Sequence, residues 1–137
     1  MSNLYQITPT FIADVSEIIC LYYRKISNNN YTVGIEFKNN QFSCINGIET
    51  EQNAKEILSH VNNKINLYQI TPFMIVNIHE IHSISNKNVS DNSSPNCYQT
   101  VLRLKQCNRL IDIELFKSYS DVKDFITKVN NDIKELI

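Results

Sequence analysis

The feature that most limits how this chain can fold is an internal repeat. Residues 3–9 recur unchanged as residues 66–72, and the same register then continues without a gap. The matched pairs that follow are Phe11 with Met74, Ile12 with Ile75, Ala13 with Val76, Asp14 with Asn77, Val15 with Ile78, Glu17 with Glu80 and Ile18 with Ile81. Further along, residues 61–63 match residues 129–131, so the offset grows from 63 to 68 and the second copy carries five extra residues. Such a repeat predicts two copies of one small supersecondary unit.

Each copy begins with a pattern typical of β-strands. Apolar residues recur at every second position in residues 11–15 and 74–78, as a half-buried strand requires. A further apolar stretch and a hairpin follow in both copies. The hairpin tips, at residues 38–41 and 106–109, contain Asn, which suits the positive φ of tight turns. Each copy is therefore predicted to contain three or four antiparallel strands.

Both copies close with a helix, because the apolar period changes there from two residues to about 3.6. The two matching apolar stripes consist of Ala54, Ile57, Leu58, Val61 and Ile65, and of Val122, Phe125, Ile126, Val129 and Ile133. Thr50 and Ser118 stand where each helix would begin, and their hydroxyls can accept a hydrogen bond from a backbone N–H of the first turn. The sequence therefore predicts one N-capped amphipathic helix at the end of each copy.

These elements predict an α+β protein made of two tandem β-β-β(β)-α repeats, with antiparallel sheets and one helix per repeat. Residues 1–65 form the first repeat and residues 66–137 the second. The connector, residues 62–64, is too short for a free tether, and a unit of about 65 residues is marginal alone. We therefore expect the repeats to pack into one compact domain with pseudo-twofold symmetry, either as one continuous sheet or as two sheets that share a core.

The order of a short strand, an Asn or Asp turn, an apolar strand, a hairpin and one capped helix resembles the small FlbD-like proteins. The resemblance covers residues 73–129 and, less closely, residues 11–61, although the Asn-Gly hairpin tip of that family is missing from both copies. It implies a duplicated unit of a kind linked with bacterial flagella. The tandem order of sheet and helix also resembles repeats of the PUR and Whirly kind, which implies single-stranded nucleic-acid binding. Those proteins are basic, whereas this chain is neutral.

Composition removes several classes of function. With two Gly in 137 residues, a glycine-built phosphate loop is excluded, and a net charge of -1 gives no general attraction to nucleic acid or anionic membranes. No apolar run approaches the roughly 18 residues that span a bilayer. The first residues also lack the basic-then-apolar pattern of a secretory signal. We therefore expect a cytoplasmic protein with reduced cysteines, no membrane association and no cofactor.

No set of residues reaches a catalytic or metal-binding signature. His79 and His82 are three residues apart, whereas a helical zinc pair needs a spacing of about four. Cys20 and Cys44 lie in apolar strands and are predicted to be core residues, and Cys107 at a hairpin tip is predicted to be the most exposed cysteine. The sequence offers no Cys-His-acid set. We therefore predict that the chain is not an enzyme and holds no metal.

Basic residues interleaved with tyrosines form the best candidate binding surface. Its members are Tyr22, Tyr23, Arg24 and Lys25 in the first copy and Arg103, Lys105 and Arg109 in the second. Such a set can contact phosphates and stack on bases. The alternative is that Glu36, Asp112 and Glu114 pair with these cations across the sheet, and the net charge favours that alternative. Asp112 and Glu114 alternate with apolar residues, so they are predicted to lie on an exposed strand face.

Most of the extra residues of the second copy must fall in a segment that interrupts a hairpin, predicted to be a loop. The candidate specificity residues in this segment are Asn86, Lys87, Asn88, Asp91, Asn92 and Asn96. A loop that breaks the symmetry of a repeat often carries what is specific to a protein. It can equally be a tolerated insertion.

Three functional hypotheses remain. The first is a non-enzymatic binding or adaptor protein that acts through sheet edges, the long loop or an apolar patch, with a protein partner or by self-association. The second is single-stranded nucleic-acid binding through the basic and aromatic residues. The third is sequestration of a small anionic ligand between the repeats. The first is the predicted function.

Overall fold

The structure is a computed structural model of the chain, and it describes residues 3–89 and 97–137. In this part of the chain, ten β-strands form antiparallel sheets, and two α-helices and two short 3-10 helices complete the secondary structure. The α+β class is therefore confirmed. The chain divides into two compact units, Met1–Glu80 and Ile81–Ile137. Neither of the described α-helices is long and apolar enough to cross a membrane.

The first unit contains seven of the described strands and one α-helix. In chain order the strands are β1 Leu4–Thr8, β2 Phe11–Asp14, β3 Ile18–Ser27, β4 Asn30–Phe37, β5 Gln41–Ile48, β6 Tyr68–Thr71 and β7 Met74–Val76. They form a two-stranded sheet, β1-β2, and a five-stranded sheet with the order β5-β4-β3-β7-β6. The helix α1 spans Glu51–Ile65, and the 3-10 helices span Val15–Glu17 and Ile78–Glu80.

Strand β3 lies in the middle of the five-stranded sheet, because β4 pairs with one of its edges and β7 with the other. Beside the paired residues, the Tyr23 N–H donates to the Phe73 carbonyl at 3.0 Å, and the Asn77 N–H donates to the Ile19 carbonyl at 2.8 Å. The first compact unit therefore extends to residue 80, past the predicted repeat boundary at residue 65, since β6 and β7 belong to this sheet.

Helix α1 packs its predicted apolar stripe against the core of the first unit. The stripe residues that are buried in this core or pack against it are Ala54, Ile57, Leu58, Val61 and Ile65. At the start of the helix, Thr50 Oγ1 accepts a hydrogen bond from the Asn53 N–H at 3.0 Å, which confirms the predicted cap. The helix ends at Asn66, whose φ of 53° lies in the left-handed region that often closes helices.

The β1-β2 hairpin also packs against α1. Its inner face places Ile7 and Ala13 in the core of the first unit. Tyr5 Oη lies 2.5 Å from His60 Nε2, a hydrogen bond that ties the hairpin to the helix. The other face is exposed, since Ile12 is 62% exposed. The hairpin is thus held through one face, while β2 keeps an edge with no sheet partner among the described residues.

Asparagine forms the tight turns, as the sequence predicts for the first hairpin tip. Asn39 and Asn40, between β4 and β5, have φ values of 62° and 60°. Asn29, between β3 and β4, has a φ of 57°. Asn enters this region more readily than most residues because its short side chain can hydrogen-bond to the nearby backbone. These turns keep β3, β4 and β5 adjacent in one antiparallel sheet.

The second unit contains the other three described strands and one α-helix. These elements are β8 Ile81–Val89, β9 Cys97–Leu104, β10 Leu110–Phe116 and α2 Tyr119–Leu136. The strand order is β10-β9-β8. Helix α2 buries Val122 and Val129 of the predicted stripe. The Ser118 hydroxyl accepts a hydrogen bond from the Asp121 N–H at 3.1 Å, which confirms the second predicted cap.

The exposed face of β10 agrees with the sequence pattern. Asp112 and Glu114 are exposed, whereas Ile111 and Ile113 are 3% and 2% exposed. The alternation that predicted a solvated acidic face is therefore confirmed. Acid–base catalysis by a pair of carboxyl groups uses burial to raise the pKa of one of them. Asp112 and Glu114 are not buried in this way.

The prediction for two cysteines is wrong. Cys44 is exposed and Cys107 is buried, the reverse of what the strand and tip positions indicated. Cys44 lies on the edge strand β5, next to Ile45, which is buried and points into the core. Cys107 folds back toward the end of β9, where its N–H donates to the Leu104 carbonyl at 3.5 Å. Position at a hairpin tip therefore did not decide exposure.

Replacing the α1 cap should lower the stability of the protein. Thr50→Ala removes the oxygen that accepts the Asn53 N–H, so the free energy of unfolding should fall by about 1 kcal/mol. The matched control is Thr50→Ser, which keeps the accepting oxygen and should retain most of the stability. Urea denaturation followed by circular dichroism measures both. Equal stability of the Ala and Ser variants would contradict the capping role.

Candidate functional site

Strand β3 sends the predicted basic and aromatic residues of the first copy to opposite faces of its sheet. Tyr23 belongs to the core cluster that includes α1, so it lies on the helix side. Tyr22 and Arg24 alternate with it and lie on the other side. Lys25 is exposed near the end of the strand. The four residues therefore do not form one surface.

Tyr22 forms a small polar cluster with its neighbours. Its hydroxyl donates to Glu36 Oε2 at 3.1 Å, and the Arg24 guanidinium carbon lies 5.0 Å from the centre of its ring. Glu36 is 0% exposed. Burial, reinforced by the charge of Glu36, raises the pKa of the Tyr22 hydroxyl well above its ordinary value. The tyrosine therefore remains a neutral hydrogen-bond donor to a buried carboxylate.

Gly34 makes room for the Tyr22 ring. It lies opposite Tyr22 in the β3-β4 ladder, and a Cβ at this position would lie 2.6 Å from Tyr22 Cζ. Only a residue without a side chain allows the ring to lie flat over β4 at this point. Glycine at position 34 therefore permits the contact between Tyr22 and Glu36.

Tyr23 lies beside a shallow cavity on the helix side. The cavity has a volume of about 440 Å³ and is lined by Tyr23, Arg24, Lys25, Glu51 and Phe73. The Tyr23 hydroxyl donates to Glu51 Oε1 at 3.2 Å, and Lys55 Nζ lies 3.2 Å from the same oxygen. These hydrogen bonds, first that of Lys55 and then that of Tyr23, lower the pKa of the Glu51 carboxyl. Burial and then the charge of Glu51 raise the pKa of Tyr23 to about 12.

The basic residues of the second copy lie at the β9-β10 hairpin of the second unit. Arg103 and Lys105 are exposed, and Arg109 is half-buried just before β10. Arg103 lies opposite Leu110 in the ladder. The structure therefore places the two halves of the predicted basic surface in different compact units.

The predicted specificity segment starts as a strand rather than as a loop. Asn86, Lys87 and Asn88 belong to β8 and are exposed, paired in sequence with Thr100, Gln99 and Tyr98 of β9. The strand continues because these residues find backbone partners on β9, which the polar composition of the segment did not indicate. The other three candidates, Asp91, Asn92 and Asn96, lie outside the described residues.

The two histidines that the sequence singled out lie in different elements. His79 is the middle residue of the 3-10 helix Ile78–Glu80 of the first unit, and His82 belongs to β8 of the second. Within residues 3–89 and 97–137, no three His, Cys, Asp or Glu side chains are grouped as metal ligands would be. A cavity of about 580 Å³ in the first unit is bordered by Glu49, Glu56 and His60. Its two carboxylates make it unsuited to an anionic ligand.

The sequence reasoning missed the edge of β8. In the described sheet β8 pairs only with β9, so one row of its backbone N–H and C=O groups has no strand partner. Residues along this edge are exposed or half-buried: His82, Ser85 and Asn86 are exposed, and Ser83 and Ile84 are half-buried. An edge of this kind is a template for pairing with another strand.

Helix α2 and Asn86 of β8 together line a groove at one end of this edge. The groove has a volume of about 210 Å³, and its lining residues are Asn86, Tyr119, Val122, Lys123, Ile126 and Thr127. Tyr119 is 56% exposed. We call the outer edge of residues 82–86 and this groove together the β8 edge site. It offers backbone groups for pairing and a partly apolar wall for side chains of a docked strand.

Comparisons with known proteins found no match among protein-family models, curated proteins or solved structures. The resemblances to FlbD-like proteins and to PUR or Whirly repeats therefore stay predictions. Function has to be argued from the chemistry and geometry of the site.

Adding a methyl group at Gly34 should disrupt the Tyr22 cluster. Gly34→Ala forces the Tyr22 ring off β4 and strains its bond to Glu36, so the free energy of unfolding should fall by about 1–3 kcal/mol. In a Tyr22→Ala background the same change should cost much less, because the clashing ring is gone. A double-mutant cycle measured by chemical denaturation tests this coupling. Additive effects of the two changes would contradict it.

Ionisation of Tyr23 should make stability fall at high pH. Its pKa is raised from 10.0 to about 12 in the folded protein, so the unfolded chain loses this proton first. The contribution is complete below pH 10 and is lost as the pH rises toward 12. The Tyr23→Phe variant should show a smaller loss of stability over this window in denaturation experiments. The difference in free energy of unfolding between this variant and the wild type should stay constant between pH 7 and pH 9. A difference that stays constant up to pH 12 would contradict the raised pKa of Tyr23.

Proposed function

We propose that the chain is a non-enzymatic protein-binding module that captures a β-strand or β-hairpin of a protein partner at the β8 edge site. The observation that supports this most is the different surroundings of two strands that lie at matching positions of the sequence repeat. β3 is paired on both sides, whereas β8 is paired on one side only among the described residues. The filled edge of β3 shows what kind of element such an edge accepts, namely a short hairpin.

The argument uses the tandem repeat, which we propose as the organisation of the fold. Each helix follows five strands in chain order, and a 3-10 helix stands after the second strand of each set. The offset of 63 residues places β3 on β8, and it places β2 on β7. We propose that residues 1–65 and 66–137 are two copies of one duplicated unit.

The groove of the β8 edge site also has a counterpart in the first unit, and a hairpin borders that counterpart. In the first unit, Leu58 and Ser59 of α1 border a cavity of about 360 Å³ together with Gln69 and Ile75 of the β6-β7 hairpin. With the offset of 68 residues that applies to the helices, these helix positions match Ile126 and Thr127, which line the groove in the second unit. A hairpin docked at β8 would therefore meet α2 as the β6-β7 hairpin meets α1.

Affinity at such a site would come chiefly from the backbone. Each added inter-strand hydrogen bond contributes a net stabilisation of about 0.5–1.5 kcal/mol. Ile84 and Ile126 are half-buried, so a docked apolar side chain removes further apolar area from water. A few backbone hydrogen bonds and two or three apolar contacts are therefore the contributions that this edge offers to a docked strand.

The two other hypotheses receive less support. Stacking of nucleic-acid bases needs free aromatic faces, but the Tyr22 ring is covered by Arg24 and Tyr23 is only 9% exposed. Sequestration of a small anion needs cationic groups, and the cavity of about 580 Å³ within the first unit carries carboxylates instead. Protein binding through a strand edge needs neither feature.

Selection of peptides against the protein tests the proposal. Random peptides of about twelve residues displayed on phage should yield binders with alternating apolar residues. Asn86→Pro should weaken their binding at least about tenfold, because it removes a backbone N–H from the edge and places a ring against the docked strand. The matching N–H in the first unit, that of Tyr23, donates to the Phe73 carbonyl of the hairpin at 3.0 Å.

The matched control is Asn86→Thr, which also removes the exposed amide side chain but keeps the N–H. It should bind the selected peptides as the wild type does. Both variants should melt within about 3 °C of the wild type, since position 86 lies on an exposed edge. Equal binding by the Pro and Thr variants, or failure to select any peptide that distinguishes them, would overturn the proposal.

A further inference from the structure

We propose that the partner at the β8 edge site is a second copy of this chain, which pairs its own β1-β2 hairpin with β8. This inference rests on the proposed function, because it names the occupant of the same site. It follows from a comparison of two hairpins. The β6-β7 hairpin pairs with the edge of β3, whereas the β1-β2 hairpin pairs with no further strand among the described residues. The pairing would join β2 of one copy to β8 of the other in an antiparallel ladder.

The β1-β2 hairpin is a sequence copy of the hairpin that docks on β3. Residues 3–9 are identical to residues 66–72, which contain all of β6 and the first residue of the turn that follows it. The docked strand β7 has the sequence Met-Ile-Val, and the matching positions of β2 have Phe-Ile-Ala. Both strands are apolar at all three positions and pair with the first strand of their hairpin in the same register. The chain therefore contains a second ligand of the kind that a β3-like edge binds.

The observed β3-β7 register specifies the expected β2-β8 register. The observed pairs are Cys20 with Val76, Leu21 with Ile75 and Tyr22 with Met74. The repeat offset of 63 residues replaces β3 by β8, further along the chain, and replaces β7 by β2, earlier in the chain. The expected pairs are then Ser83 with Ala13, Ile84 with Ile12 and Ser85 with Phe11. Two hydrogen bonds flank the observed pairs, from the Tyr23 N–H to the Phe73 carbonyl and from the Asn77 N–H to the Ile19 carbonyl. Their expected counterparts run from the Asn86 N–H to the Thr10 carbonyl and from the Asp14 N–H to the His82 carbonyl. All these positions lie within the described residues.

Exposure at the matching positions agrees with one filled edge and one open edge. Ile75 on the docked strand is 2% exposed, whereas its match Ile12 is 62% exposed. Leu21 on the filled edge is 0% exposed, whereas its match Ile84 is half-buried. Neither β2 nor β8 has a sheet partner on its outer side among the described residues. Pairing them would bury both isoleucines.

The β1-β2 hairpin is placed so that it can donate its outer edge. The hairpin can reach another copy without leaving its own unit, because Ile7 and Ala13 hold its inner face in the core while β2 offers its outer edge. Since each copy has one hairpin to give and one edge to fill, two copies can exchange equal contacts in a closed dimer.

Sedimentation of the full chain and two proline variants tests the inference. The wild type should dimerise with a dissociation constant in the micromolar range. Asn86→Pro removes an N–H from the accepting edge, and Ile12→Pro removes the outward N–H of the donating strand, where proline is tolerated. Each variant alone should raise the dissociation constant at least about tenfold. Asn86→Thr and Ile12→Val keep these N–H groups and should raise the dissociation constant much less than the proline change at the same position does.

Mixing the two proline variants gives the sharpest result. The Ile12→Pro chain keeps an intact β8 edge, and the Asn86→Pro chain keeps an intact β2 edge. A labelled sample of one should therefore sediment as a heterodimer with the other, although neither associates with itself. Failure of the mixture to associate would overturn the inference, and so would dimerisation that both proline changes leave intact.

The outcomes also separate this inference from the proposed function. A wild-type chain that stays monomeric up to about 0.5 mM would exclude self-pairing. If selected peptides still bound that monomer and lost affinity with Asn86→Pro, strand capture would stand with another protein as partner. If the peptides failed as well, both proposals would fall.

Discussion

The pairing of β7 with β3 is the interaction on which the first unit depends. It turns β3 from an edge into a central strand, and it brings β6 and β7 into a sheet whose other strands come from the first part of the chain. Backbone groups at a buried edge need partners, because an unpaired buried N–H or C=O costs free energy. Residues Ile18, Ile19, Cys20 and Leu21 are nearly or fully buried. Such a strand is stable only with partners on both sides.

Helix α1 adds a second layer to this arrangement. One hairpin reaches it through Tyr5 and His60, and the other borders it at Leu58 and Ser59. The core of the first unit therefore combines the inner faces of two hairpins, one helix and three longer strands. Helix α2 packs with β9 and β10, and the described part of the second unit contains no counterpart of the β1-β2 and β6-β7 hairpins. Helix α1 therefore has two short hairpins beside it because both β1-β2 and β6-β7 belong to the first unit.

Local features of this fold could be predicted from the sequence, whereas strand partners could not. The stripes on both helices, the caps Thr50 and Ser118 and the Asn turn of β4-β5 depend on residues close in the chain. The partner of β7 depends on residues about fifty positions away, and periodicity carries no information about pairing. A signal was nevertheless present. Four apolar residues in succession at the start of β3 indicate a strand buried on both faces, whereas β8 interposes His82 and Ser83.

The number of hairpins and edges explains why the β8 edge site stays open. The chain has two short hairpins of closely similar sequence, and β3 and β8 lie at matching positions of the sequence repeat. One hairpin pairs with β3, and the other is retained on α1 through its inner face. Among the described residues, the outer side of β2 and one edge of β8 remain without a sheet partner. We propose that these two edges are complementary by the register that β3 and β7 display, so that the open edge of β8 binds another β-strand.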